Sequence, residues 1–175
     1  MKKLQLYINK LQKTSYLCNL IYLIKQKMEI LNKNTTIALA SDHAGFALKE
    51  LVKKELLAIN IEVKDFGCFS DSSVDYPDFA RPASTAVANN EYSRGILICG
   101  SGTGMSISAN KIKGVRAANC WNKEITELAR LHNNINVLCL GARMIEPALA
   151  FQLIETFLNT EFEGGRHSRR VDKFE

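Results

Sequence analysis

From Thr36 onward, short apolar runs alternate with longer stretches whose apolar residues recur at helical spacing. TIALA (36–40), GILIC (95–99) and NVLCL (136–140) are nearly continuous apolar runs, the pattern of strands buried on both faces of a parallel sheet. IEVKDF (61–66) and VRAANC (115–120) read as two further strands. Helices are predicted from about Phe46 to Ile59, from about Phe79 after a loop ending at Pro77, from about Ser106, from Asn122 to about Arg130, and from Pro147. Pro147 suits the first turn of the last helix, and Gly114 separates a helix from a strand. Five βα units in sequence specify an α/β fold: a single three-layer Rossmann-like domain with a five-stranded parallel sheet and helices on both faces. There is no internal repeat or low-complexity segment.

In such a sheet, ligands bind beyond the carboxyl ends of the strands. That directs attention to Ser41 to Gly45, Gly67 to Pro77, Gly100 to Gly104, Cys120 to Asn122 and Gly141 to Arg143. The third of these carries the most chemistry. An apolar strand ends in Cys99 and opens into a loop with glycine at 100, 102 and 104, where positive φ can turn backbone N–H groups inward as an anion-binding nest. A dinucleotide fingerprint starting at Gly100 needs glycine at 105, where the chain has Met105. A P-loop needs lysine and a hydroxyl residue directly after its last glycine, where the chain has Met105 and Ser106. What remains is an anion-stabilising loop with two hydroxyls, Ser101 and Thr103, and a thiol at its entrance. Taken alone, Cys99 reads first as a small buried hydrophobe, and catalysis needs other residues to join it.

The chain has 175 residues, 46% of them hydrophobic, enough for one domain with a full core. The net charge of +5 suggests nucleic acid until it is located: residues 1–34 hold seven lysines and one acid, and the rest holds 16 basic and 17 acidic residues. The body is nearly neutral and lacks the folded basic face of a phosphate-backbone binder. The five cysteines (18, 68, 99, 120, 139) are odd in number and without CxxC spacing, the usage of a reducing compartment rather than a disulfide framework or zinc site. A cytoplasmic protein is expected.

Residues 1–34 form a basic extension ahead of the domain at 35–175. Its apolar stretch, Leu17 to Ile24, is too short to span a membrane and has no signal-peptide cleavage site. Leu17, Leu20, Ile21, Ile24, Met28 and Leu31 would line one face of an amphipathic helix; the alternative is a disordered lead with Met28 as the true start.

Three histidines remain: His43 just after the first strand, His132 in LHNNINV, and His167 in the tail, beside Arg166, Arg169 and Arg170. Each alone is readable as structural, and the tail as a solvated basic end; arginine is also the preferred fork for phosphate oxygens. Taken together, SDHAGFALK (41–49), DYPDFA (75–80), GILICGSGTGMSISANK (95–111), LHNNINVLCLGAR (131–143) and EGGRHSRRV (163–171) resemble the type B ribose-5-phosphate isomerases and their relatives, the galactose-6-phosphate isomerase subunits. The resemblance runs from Thr35 to about Lys173 and leaves residues 1–34 untouched.

The resemblance implies an aldose–ketose isomerase that interconverts D-ribose 5-phosphate and D-ribulose 5-phosphate through an enediolate, in the non-oxidative pentose phosphate pathway, with neither metal nor cofactor. Cys99 would take the proton from C2, and the amides of Gly100, Gly102, Thr103 and Gly104 would hold the enediolate oxygens. The Ser101 hydroxyl would move a proton between O1 and O2. His132, with Asn133 beside it, would open the furanose ring. His43, Arg143, Arg166 and Arg170 would hold the phosphate, and Asp42 and Tyr76 would contact the sugar. Relatives without this cysteine use a glutamate a few residues on, where this chain has no acid.

The chemistry of the residues agrees. Preorganised amides aimed at a developing enediolate oxygen stabilise the transition state strongly in a dry site, and a thiol's ordinary pKa of about 8.5 lies near working pH. The alternatives are a hexose-6-phosphate isomerase of the galactose type and, from another class, a non-catalytic sugar-phosphate sensor. No nucleic-acid or membrane partner is expected. Cys99 ends the third strand, whereas His132 precedes the strand 136–140; a five-residue strand spans about 16 Å. Both can act on one sugar only across a subunit boundary, so a homodimer or dimer of dimers with composite active sites is expected.

Overall fold

The computed structural model describes residues 36–174. They form strands β1 (Thr36–Ser41), β2 (Glu62–Asp65), β3 (Arg94–Cys99), β4 (Ala117–Asn119) and β5 (Val137–Gly141). The helices are α1 (Phe46–Ala58), α2 (Pro77–Ala88), α3 (Thr103–Ala109), α4 (Lys123–Asn133), α5 (Pro147–Asn159) and α6 (Ser168–Val171), the last preceded by a 3-10 turn at Gly165–His167. The extension, including the helical pattern from Leu17 to Leu31, lies outside the described residues.

All strand pairings are parallel, in the order β2-β1-β3-β5-β4. Ile37 to Ala40, Ile96 to Ile98 and Val137 to Leu140 are fully buried, as continuous apolar runs in a two-sided sheet require. Alternate residues face opposite ways. Ala38, Ala40, Leu97, Cys99, Val137 and Cys139 meet Ala80, Ala83 and Val87 of α2 and Met105 and Ala109 of α3. The intervening Ile37, Leu39, Ile96, Ile98, Leu138 and Leu140 point to the other face, where α1 and α5 contribute Leu48, Val52, Leu153 and Phe157. Each such aliphatic side chain stabilises the fold by about 1.5–3 kcal/mol, which makes the sheet a rigid mount for the loops at its ends. The strand order reverses between β1 and β3, so the crevice beyond Ser41 and Cys99 is the topological switch point.

Three departures from the sequence reading bear on the site. The helix expected from about Ser106 begins at Thr103, because Gly102 has left-handed φ of 80° and turns the chain straight into the first helical turn. The strand expected over 115–120 is only Ala117–Asn119: Val115 closes a turn onto the Ile112 carbonyl, and the Arg116 N–H is taken by the Asn136 side chain at 2.8 Å. Helix α4 runs past Arg130 to Asn133, so His132 lies in its last turn.

Arg130 holds that last turn in place. Its buried guanidinium donates to the Thr160 carbonyl (3.0 Å), the Asn134 side chain (3.0 Å) and the Ile135 carbonyl. Burial brings its pKa down to about 10, so it stays charged at neutral pH. The C-terminal segment is therefore fastened to the end of α4, a link reinforced by the Glu163 N–H donating to the Leu131 carbonyl at 3.0 Å. No helix among the described residues is long and apolar enough to cross a membrane.

Candidate active site

The Cys99 thiol lies at the carboxyl end of β3 and is buried. The Gly102 N–H donates to its Sγ at 3.1 Å. Of the three loop glycines only Gly102 has positive φ, contrary to the expectation that all three turn N–H groups inward by left-handed backbone. Gly100 and Gly104 instead make room for neighbours. A Cβ at Gly100 would lie 3.4 Å from the Arg143 guanidinium, and one at Gly104 would lie 2.8 Å from the Tyr76 ring. Arg143 and Tyr76 are thus packed against the loop. Ser101 is exposed, and its hydroxyl accepts from the Thr103 N–H at 3.4 Å.

Across the switch point, Asp42 is buried; its Oδ1 accepts from the Gly45 N–H at 2.9 Å, and its own N–H donates to the Ile98 carbonyl at 3.1 Å. Half-buried His43 is held at Nδ1 by the Val74 backbone, 3.2 Å from its N–H and 3.3 Å from its carbonyl oxygen. Asp42, His43, Tyr76, Cys99 to Gly104 and Arg143 are therefore one group, at the carboxyl edge of the sheet.

The other expected residues form a second group. The His132 ring stacks on that of His167, with centroids 4.2 Å apart and planes 3° from parallel. Glu163 Oε2 lies 3.5 Å from His132 Nε2 and 3.7 Å from His167 Nε2, and the Arg166 Nε–H donates to His167 Nε2 at 3.2 Å. Asn133 is exposed beside His132, and Arg166 and Arg170 are exposed on the C-terminal turns. Burial first, then the neighbouring His132, holds the His167 imidazole below its usual range; Arg166 and Arg170 add to this and Glu163 opposes it. His167 is thus a neutral acceptor for Arg166. The tail is a packed element, with His167 and Val171 buried, and not a solvated end.

Sheet register separates the two groups. Gly95 pairs with Val137 at the amino edge, and Cys99 with Gly141 at the carboxyl edge. Four residues of strand are about 13 Å, and His132 lies five residues before Val137, beyond the amino edge. Within one chain, the thiol and the His132 cluster therefore face opposite ends of the sheet.

His132, Glu163 and His167 are also the one set of ligating side chains among the described residues close enough for a metal ion, their ligand atoms lying within 4.8 Å of one another. Ring lone pairs lie in the ring planes, and parallel stacked planes do not converge on one ion. With Arg166 already on His167 Nε2, the cluster is better described as a stacked histidine pair beside Glu163.

Sequence reasoning passed over Asn119, whose Nδ2 donates to the Ser101 carbonyl at 3.1 Å and to Thr103 Oγ1 at 3.3 Å. The available signal was a polar residue closing an apolar strand at the carboxyl edge. It also left out Glu163 and gave His167 no role; both were in view within EGGRH.

The family model described as Ribose/Galactose Isomerase matches residues 37–174. The chain belongs to the ribose/galactose isomerase family. Ribose-5-phosphate isomerase B of Escherichia coli is 43% identical over 136 residues, which cover 78% of this chain and 91% of that protein. The crystal structure of a ribose 5-phosphate isomerase from Thermotoga maritima matches with a TM-score of 0.79 at 52% identity, over 81% of this chain and 97% of that one. Ribose-5-phosphate isomerase B from Mycoplasma genitalium, solved with bound ribulose 5-phosphate, matches with a TM-score of 0.77 at 42% identity, over 80% and 93%. The α/β fold with a five-stranded parallel sheet is shared with these isomerases.

Proposed function

We propose that this chain is a sugar-phosphate isomerase that interconverts D-ribose 5-phosphate and D-ribulose 5-phosphate through an enediolate. The observation that carries the reading is the Cys99 thiol at the sheet switch point with the Gly102 N–H directed at it, in a fold and sequence shared with an isomerase that binds ribulose 5-phosphate. Cys99 as thiolate removes the proton from C2; the electron pair moves to the carbonyl oxygen at C1, giving an enediolate that the loop amides stabilise. The Ser101 hydroxyl carries a proton between O1 and O2, and Cys99 returns its proton to C1. Asp42 and Tyr76 contact the sugar, and His43 and Arg143 hold the phosphate from the same chain. That remote binding energy fixes the carbon skeleton for proton transfer.

His132 and Asn133 open the furanose ring, and Arg166 and Arg170 complete the phosphate grip. Because these residues share the far edge of the sheet, they act on a substrate held by the Cys99 group of a second subunit. The enzyme is then a homodimer, or a dimer of dimers, with composite sites, and the subunit that supplies His132 also supplies the tail arginines. Reaction of the purified protein with ribose 5-phosphate and, separately, galactose 6-phosphate tests the assignment. Ketose formed from ribose 5-phosphate alone supports it; turnover of galactose 6-phosphate alone replaces it with the hexose reading, and turnover of neither replaces it with the sensor.

A further inference from the structure

The Ser101–Gly102 peptide is a single planar unit whose two polar ends are both engaged. Its N–H, on Gly102, donates to Cys99 Sγ at 3.1 Å. Its carbonyl, on Ser101, accepts from Asn119 Nδ2 at 3.1 Å. The same carboxamide reaches Thr103 Oγ1 at 3.3 Å and lies where a Cβ on Gly102 would be, so it is in contact with three successive loop residues. The Ser101 carbonyl can only accept, which fixes which end of the carboxamide is the amino group. A rigid peptide held at its carbonyl cannot rotate its N–H off the sulfur, and donation into the carbonyl polarises the amide and strengthens its N–H as a donor. Around the thiol, Arg143 packs over Gly100, Tyr76 over Gly104, and buried Asp42 follows β1. Cys139 on β5 is fully buried; desolvation holds it well above the usual thiol range, so it stays neutral.

We propose that Asn119 is a positioning residue for the isomerisation, acting on Cys99 through the Ser101–Gly102 peptide. The proposal rests on Cys99 being the base. It assigns to the end of β4 a function that touches neither substrate nor thiol. Removing the donor leaves the peptide free to swing, so the thiolate loses its hydrogen bond while the sugar and phosphate contacts stay in place.

Asn119→Asp keeps the shape and removes the donor; Asn119→Leu keeps the approximate volume and removes all polarity. Each is assayed for kcat and KM on ribose 5-phosphate, for the rate of Cys99 carboxamidomethylation by iodoacetamide at pH 7 read by peptide mass, and for thermal melting. The expected result for both is kcat lower by about tenfold, KM within about twofold, Cys99 alkylation slower by about tenfold, and melting close to the parent. Parental kcat and alkylation rate in either variant would overturn the proposal. So would a melting temperature more than about 10 °C below the parent in both, which would make Asn119 a structural support. Cys99→Ala is the companion measurement. If it keeps activity within about tenfold of the parent, the base assignment itself is wrong; if it is inactive while the Asn119 variants are normal, only the Asn119 inference fails.

Discussion

The separation of Cys99 from His132 can be tested by restoring activity from two dead proteins. Under the proposed roles, Cys99→Ala removes the base and His132→Asn removes the ring-opening imidazole, so each variant alone should be inactive. The register places Cys99 at the carboxyl edge and His132 beyond the amino edge, at least about 13 Å of strand apart. One small sugar cannot bridge that span inside a chain. In a mixed symmetric dimer, one site combines both lesions and the other combines neither. Random reassembly makes half of the dimers mixed, and each keeps one of its two sites, so recovered activity should approach about a quarter of the parental value. The two variants are unfolded together, refolded, and assayed for ribulose 5-phosphate formation, with the mixed species quantified by native mass spectrometry. Mixed dimers present without recovered activity would refute the reasoning: the two residues would then act within one chain, or His132 would not be catalytic. Recovery near the full parental value would equally refute the one-intact-site arithmetic.

Three further outcomes follow from the geometry. Gly102→Ala forces a Cβ against the Asn119 carboxamide and the Leu140 carbonyl carbon (3.0 Å) and adds about 1–2 kcal/mol of left-handed strain; kcat should fall about a hundredfold or more as the N–H leaves the sulfur, and near-parental kcat would show that the amide is not needed. Arg166→Ala and Arg170→Ala should each raise KM for ribose 5-phosphate several-fold, with inorganic phosphate competing in the parent; unchanged KM in both would remove the tail from the phosphate site. At Asp65, burial raises the carboxyl pKa, but hydrogen bonds from Lys49 and Lys53 (2.6 and 2.8 Å) and the Gly67 N–H outweigh it, so the folded value is below the ordinary one. The stabilisation is therefore complete above the unfolded pKa of about 3.9 and is lost as pH falls through the lower folded value. Urea midpoints should drop below about pH 4 in the parent, and Asp65→Asn should be less stable at pH 7 with a flatter acid slope; parallel slopes would exclude Asp65 as the source.

The parts of this molecule that were legible in sequence are those fixed by period and composition. TIALA, GILIC and NVLCL could only be strands buried on both faces, and the glycines at 100, 102 and 104 announced close backbone approach after Cys99. Which kind of approach was not legible: only Gly102 needs positive φ, whereas Gly100 and Gly104 admit Arg143 and Tyr76, and small size and left-handed backbone leave the same letter in the chain. Arg130 was hidden for a related reason. An arginine in a helix reads as a surface residue, yet here three carbonyl-type acceptors, on Thr160, Asn134 and Ile135, substitute for water around its guanidinium. Asn134 and Ile135 are near neighbours in the chain, but Thr160 lies 30 residues away, so no local pattern could reveal the complete set. The same limit hid Asn119, whose partners Ser101 and Thr103 lie 18 and 16 residues away. Strand order brings β4 beside β5 and so carries the Asn119 side chain to the loop after β3. The groups proposed to meet substrate lie in segments with tell-tale composition, while the groups that aim them are supplied by topology, and the second kind has to be read from the fold.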